Sequence, residues 1–176
     1  MIEKSTIEKV LAVFFENPSK QDIHLRELSR ITKLSMPTII STTDKLAKEH
    51  LIIKFPGMVM TRVYAYRDNE VNKKFIRYKL LHNLEKIYES GIIEFLSKGY
   101  HHPKAIILFG SFSRGEDIES SDIDIAILIK RKLNLDLSKY ERILKKTVNV
   151  HEVNMDKISN EFKANLANGI VLEGSW

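Results

Sequence analysis

Apolar residues recur at helical spacing from the start of the chain, where Ile7, Val10, Leu11, Phe14 and Phe15 fall on one side of a helix over residues 5–16. Asn17 and Pro18 stop it. Leu25, Leu28 and Ile31 sit three apart and predict a short helix packed on one face. After the tight Lys33-Leu34-Ser35 connector, Ser35 is placed to cap a third helix. Pro37 suits that helix's first turn, where a missing N–H costs nothing. Ile39, Ile40, Thr43, Leu46 and Ala47 define its buried side. Residues 51–66 follow as two β-prone runs around Pro56-Gly57, the pattern of a hairpin.

A longer helix is predicted over residues 70–98. Val71, Phe75, Tyr78, Leu81, Leu84, Tyr88, Ile92 and Phe95 keep spacings of three and four, and Gly91 marks a bend or a close contact. That stripe either packs on its own domain, links the two halves, or forms a dimer surface. From Lys104 the period shortens. Residues 105–110 (AIILFG) read as a buried strand and residues 121–129 (SDIDIAILI) as a second. A helix is expected over 138–147, a strand over 147–153 (TVNVHEV) and a closing helix over 155–168.

Helix, helix, short turn, helix, hairpin is the order of a winged helix-turn-helix. Residues 5–67 resemble such domains in the LRELSRITKLS-PT run and in the L-KEHLI run that leads into the hairpin. In that arrangement the third helix enters the major groove and the wing touches the backbone or minor groove. The residues expected to meet double-stranded DNA are Thr38, Ser41, Thr42 and Lys45 of the third helix, with Arg62 on the wing. Arg26, Arg30, Lys33 and Lys54 are further candidates for phosphate contact.

Charge agrees with this division. Residues 1–100 carry 17 Lys/Arg against 12 Asp/Glu, whereas residues 101–176 carry 11 of each, so the net charge of +5 lies entirely in the first part. An excess confined to one part suits a polyanionic partner. Cysteine is absent, which excludes disulfides and thiolate metal sites. No run approaches the roughly 18 apolar residues of a membrane span. The first residues, MIEKSTIEKV, lack the apolar core of a signal peptide. The expectation is a cytoplasmic protein with no membrane partner.

The chemistry concentrates between residues 106 and 128. Gly110-Ser111 ends a strand, where glycine lets backbone approach a ligand and the serine hydroxyl can donate to phosphate. Arg114 follows one turn later and can pair with phosphate. Ser121 stands directly before Asp122 and Asp124. Two positions apart on a strand, those two carboxylates share a face and repel each other unless a cation sits between them.

This Gly-Ser, Arg-Gly, Asp-x-Asp series resembles the nucleotidyltransferase superfamily that includes polymerase beta and kanamycin nucleotidyltransferase. It looks closest to the small minimal nucleotidyltransferases. The winged-helix arrangement ahead of FGSFSRGED, SDIDIA and NLANGIVLEG resembles a group of archaeal helix-turn-helix nucleotidyltransferases. The resemblance covers about residues 102–176. It implies a mixed sheet with helices on one face and a nucleotide cleft on the other. It implies that Asp122 and Asp124 ligate Mg²⁺ and that Gly110 and Ser111 contact a nucleoside triphosphate, with ATP the expected donor. The fold class is thus a two-domain α+β or α/β chain: a winged helix at 1–67, a linking helix at 68–100 and a nucleotidyltransferase domain at 101–176.

The pattern departs from the family at one point. Active members carry a third carboxylate on a neighbouring strand, and alternation along 147–153 turns Asn149 and His151 to the cleft. His151 then occupies the third-acid slot, either as a base near neutral pH or as a strand residue in a weakened site. Glu152 reaches that slot only through a bulge. The expected functions are transfer of a nucleoside monophosphate to a hydroxyl acceptor, with a toxin-like partner protein as one candidate, or regulation of DNA by a nucleotide-sensing, non-catalytic domain. An interaction module that docks on another chain is a third reading. A homodimer is compatible with all three.

Overall fold

The structure, a computed structural model, describes residues 5–57, 60–66, 73–130 and 133–175. The chain divides into two compact units, Met1–Lys79 and Leu80–Trp176. Val71, at the head of the predicted long helix, lies outside the described residues.

The first unit opens with helix α1 (Thr6–Glu16), started by a capping box in which the Ser5 hydroxyl accepts from the Glu8 N–H and the Glu8 carboxylate accepts from the Ser5 N–H. Strand β1 (Ile23–His24), which the apolar pattern did not announce, leads into α2 (Leu25–Thr32). Lys33 takes a left-handed backbone, φ 58°, and turns the chain into α3 (Met36–Lys48), capped by Ser35 as expected. Strands β2 (Ile52–Phe55) and β3 (Arg62–Ala65) pair antiparallel, with Phe55 opposite Arg62, and β1 adds to the far side of β3. The core gathers Val10, Phe14, Leu28, Ile39, Leu46 and Val63 with Phe75.

Three apolar residues placed on packed faces by the sequence pattern lie outside: Ile7 is 43%, Ile31 49% and Ile40 42% exposed. On α3 the buried positions are Ile39, Thr42, Thr43 and Leu46, a stripe with the same three-and-four spacing shifted round the helix. Thr43 tolerates burial because its hydroxyl donates to the Ile39 carbonyl at 2.8 Å.

Residues predicted as one long helix form two, α4 (Lys73–Ser90) and α5 (Ile92–Gly99). They are separated by Gly91 at φ 75°, a conformation that side chains disfavour. The buried column of α4 is Phe75, Lys79, Asn83 and Ile87, whereas Tyr78, Leu81 and Tyr88 of the predicted stripe are exposed.

The second unit is built on a four-stranded mixed sheet in the order β6-β5-β4-β7. Strands β4 (Ala105–Phe109) and β5 (Ile123–Leu128) run antiparallel. A 3₁₀ turn at Phe112–Arg114 lies between them. Strand β6 (Val148–Val153) follows α6 (Ser138–Leu144) and pairs parallel with β5. Helix α7 (Asn160–Ala167) precedes β7 (Ile170–Gly174), an edge strand missed at the sequence level. One face of the sheet, with Ile106, Leu108, Ile123, Ile125 and Ile127, packs with Ile92, Leu96, Tyr140 and Leu144. The other, with Ile107, Phe109, Ala126, Leu128 and Val153, packs with Phe162 and Leu166 of α7. Helices therefore touch both faces, a correction to the one-sided expectation. Among the described residues no helix is long and apolar enough to cross a membrane.

Candidate nucleotide and metal site

Alternation along β5 puts Asp124 on the same face as Ala126 and Leu128, and Asp122 stands one residue before the strand. The parallel β5–β6 register places Asn149 opposite Asp124 and His151 opposite Ala126. The side chains converge. Asn149 Nδ2 donates to Asp122 Oδ2 at 3.2 Å and to Asp124 Oδ1 at 3.4 Å. His151 Nε2 lies 3.3 Å from Asp124 Oδ1. An amide NH₂ thus occupies the gap between two carboxylates that otherwise repel.

Gly110 closes this site from β4. Its φ is 76°, and a Cβ there would meet Asp124 Oδ2 at 2.7 Å. No side chain other than hydrogen fits without displacing the carboxylate. Glycine and aspartate, fourteen positions apart in sequence, are thus steric neighbours.

The other predicted nucleotide contacts are differently engaged. Ser111 begins the 3₁₀ turn, its carbonyl accepting from the Arg114 and Glu116 N–H groups, and its hydroxyl makes no capping bond. Arg114 is half exposed and its Nε donates to Glu116 at 2.7 Å. Ser121 Oγ accepts from the Ile118 N–H at 2.9 Å and closes the turn ahead of Asp122. An open cleft of about 660 Å³ borders Asp122, lined among others by Ser120, Ser121, Arg142, Lys145 and Thr147.

The third-acid question has a definite geometric answer. The ladder from Ile123↔Val148 to Leu128↔Val153 runs through six consecutive pairs without a bulge. Glu152 therefore stays on the opposite face, where its Oε1 accepts from Tyr100 Oη at 2.8 Å and from the Leu133 N–H at 3.2 Å. Burial, then the carboxylate, push the Tyr100 phenol well above its ordinary range. Glu152 faces away from the aspartate pair, and no bulge of the kind the sequence reading required is present in β6. His151 is the β6 side chain that reaches Asp124, with its ring edge-on to Phe109 at 5.2 Å and 6.3 Å from Phe162. Phe109 and Phe162 are themselves in edge contact, so His151 stands against an aromatic wall.

Residues 90–174 match the family polymerase beta, nucleotidyltransferase. The match spans all of the sheet and both aspartates, and it supports a nucleotidyltransferase-type domain in this part of the chain. No curated protein and no solved structure matches the chain.

Whether the residues suit the magnesium ion used by such domains can be judged from the donor set. Among the described residues no group of three or more His, Asp or Glu side chains gathers closely enough to hold a metal alone. Magnesium, however, is commonly held by one or two carboxylates with phosphate oxygens and water completing the octahedron. Asp122 and Asp124, with the Asn149 amide between them, are two carboxylates of the kind such an ion would use together with phosphate and water.

Three residues with structural leverage on this site were not singled out by sequence. Asp117 is 3% and Asn83 2% exposed, and Asn83 Nδ2 donates to Asp117 Oδ1 at 2.7 Å. Lys146 reaches Asp117 Oδ2 at 3.5 Å. In the sequence, Asp117 looks like one more acid in a polar loop.

The residues expected to contact DNA lie on two kinds of surface. Ser41 and Lys45 are exposed on α3, and Arg62 is exposed on β3 with its guanidinium 5.4 Å from the Phe55 ring centre. Thr38 is half-buried, its hydroxyl 2.7 Å from that of Ser35 at the helix cap. Thr42 is 5% exposed and belongs to the core side, so the expectation that it faces a ligand is corrected.

Proposed function

We propose that the second unit binds a magnesium–nucleoside triphosphate at Gly110, Asp122 and Asp124 and transfers the nucleoside monophosphate to a hydroxyl acceptor. The observation that carries this reading is the convergence of both aspartates and Asn149 beside a glycine where a Cβ would displace the Asp124 carboxylate. When bound, Mg²⁺ supplies charge neutralisation on the phosphates. The chain's own groups position the reactants. Gly110 leaves room for the phosphate tail, Asp122 and Asp124 hold the ion, and the cleft beside Asp122 admits the acceptor. The acceptor oxygen bonds to the α-phosphorus as the bond to the bridging oxygen breaks. Pyrophosphate leaves, and the hydroxyl proton passes to solvent or to His151. ATP is the expected donor, and a partner protein is one candidate acceptor. The test is transfer of label from α-labelled ATP, which should vanish in Asp122→Asn and in Asp124→Asn.

A second reading follows from His151 itself. With two carboxylates in place of three, the site suits binding better than turnover, and a nucleotide-sensing regulator fits this donor set. Metal-dependent ATP binding without label transfer would select it.

For the first unit we infer a winged helix-turn-helix that binds double-stranded DNA. Support comes from the order α1, α2, α3 and hairpin, the left-handed turn at Lys33, and the exposed Ser41, Lys45 and Arg62. Duplex binding that weakens steeply with salt tests it. A cytoplasmic location and a homodimer belong to this proposal.

A further inference from the structure

Asp122 lies outside the β-ladder, so something other than strand pairing must fix it. Its backbone is anchored on both sides. After it, the Ile123 N–H donates to the Thr147 carbonyl at 2.9 Å. Before it, the Ser121 carbonyl accepts from Lys146 Nζ at 3.0 Å. The same ammonium donates to the Ile118 carbonyl at 2.6 Å and approaches that of Glu119 at 3.4 Å. Its fourth neighbour is Asp117, whose other carboxylate oxygen accepts from Asn83. Asn83 also donates to the Phe112 carbonyl at 3.0 Å, tying the 3₁₀ turn after Gly110 to the same network.

We propose that Lys146, braced by Asp117 and Asn83, is a positioning residue that holds the turn at 118–121 so that the Asp122 carboxylate stands beside Asp124. The inference rests on the metal–nucleotide reading above. Lys146 is suited to this by placement and chemistry. It directly precedes the residue that receives the Ile123 N–H, so one side chain ties the start of β5 to the start of β6, the end of the sheet where Asp122, Asp124 and Asn149 gather. Its side chain is only 13% exposed, and its bonds to carbonyls are charge-assisted, unlike a solvated surface pair. Asn83 lies on α4, ahead of the family match at 90–174. The functional unit therefore draws on a helix that the family pattern does not include.

The test uses the full chain with Lys146→Met, Lys146→Arg and Asp117→Asn. Three measurements are needed: melting temperature, affinity for Mn²⁺–ATP well below melting, and hydrogen exchange of the amides at 118–123. Partners that orient metal ligands typically matter by roughly 10–100-fold in affinity, and Lys146→Met is expected to lose that much while still folded. Its 118–123 amides should exchange faster, with protection of β4 unchanged. Lys146→Arg keeps the charge and most donors and should retain most of the affinity. Asp117→Asn should fall between, and it carries the test if the methionine variant does not fold. A folded Lys146→Met or Asp117→Asn protein with wild-type affinity overturns the positioning role alone. Failure of the wild-type protein to bind Mn²⁺–ATP overturns the nucleotide reading, and the positioning role with it.

Discussion

Replacing Gly110 with alanine separates backbone strain from damage to the site. The substitution has two costs. The first is conformational: at φ 76° an alanine sits in the left-handed region, which costs about 1–2 kcal/mol. The second is steric, because the new Cβ would lie 2.7 Å from Asp124 Oδ2, closer than real Cβ contacts allow, so the carboxylate must move. Gly91 provides the internal control. It has nearly the same φ, 75°, but a Cβ there meets nothing nearer than Glu94 Oε2 at 4.0 Å. Gly91→Ala therefore has the conformational cost without the steric one. For a unit of this size 1 kcal/mol corresponds to roughly 4–8 °C in melting temperature, so both variants should melt several degrees lower. They should part company in binding. Titration with Mn²⁺–ATP is expected to show roughly 10–100-fold weaker binding for Gly110→Ala and an unchanged value for Gly91→Ala. A folded Gly110→Ala protein that binds like wild type would refute the claim that Gly110 and Asp124 form one metal–phosphate pocket. Equal losses in both variants would show that the effect is global destabilisation.

His151→Asp places a carboxylate in the third-acid slot and should raise Mn²⁺ affinity roughly tenfold, whereas His151→Ala should not; calorimetric titration decides, and no gain in the aspartate variant counts against the slot assignment. Lys45→Ala and Arg62→Ala should each weaken duplex binding irrespective of sequence and lower the salt slope by about one; an unchanged slope removes that residue from the interface. Ser35→Ala deletes the bond to the Thr38 N–H at the start of α3 and should cost about 1 kcal/mol in a thermal melt, with nucleotide binding unaffected.

The regular elements were legible wherever one physical rule governed them. Ser35 caps α3 because its hydroxyl, just ahead of a helix with proline in its first turn, can accept from the Thr38 N–H, and the central strands β4 and β5 announced themselves as short apolar runs. Errors arose where hydrophobicity and helical phase disagreed. On α3, Ile40 was counted as core and Thr42 as exposed, and the structure reverses them. A stripe through 39, 42, 43 and 46 and one through 39, 40, 43 and 46 have nearly the same spacing, and hydrophobicity favoured the wrong one. Threonine is an inexpensive core residue when a helix carbonyl accepts its proton, as at Thr43. On α4 the misreading was larger. Lys79 and Asn83 occupy the buried column, while Tyr78, Leu81 and Tyr88 face outward. At Asn83 the reason is a specific long-range partner, Asp117, thirty-four positions later, and no local pattern encodes it. Strands β1 and β7 were missed because one is two residues long and the other is an edge with mixed burial.

The convergence of the candidate side chains was legible because alternation along β5 and β6 orients Asp124, Asn149 and His151, with Asp122 one residue ahead of the strand. Asp122 and Asp124 had to share a face, and the same alternation sent Asn149 and His151 toward them and Glu152 away. The decision between His151 and Glu152 then depended on a single integer, the presence or absence of one extra residue in β6. The six-pair ladder shows none, and Glu152 is held on the far face by Tyr100 and the Leu133 amide. A turn of Glu152 toward the cleft would need a bulge that the ladder lacks and would break its two hydrogen bonds. On the proposed reading, transfer would use two acids and a histidine, and the Lys146 variants test whether metal affinity follows how firmly Asp122 is held.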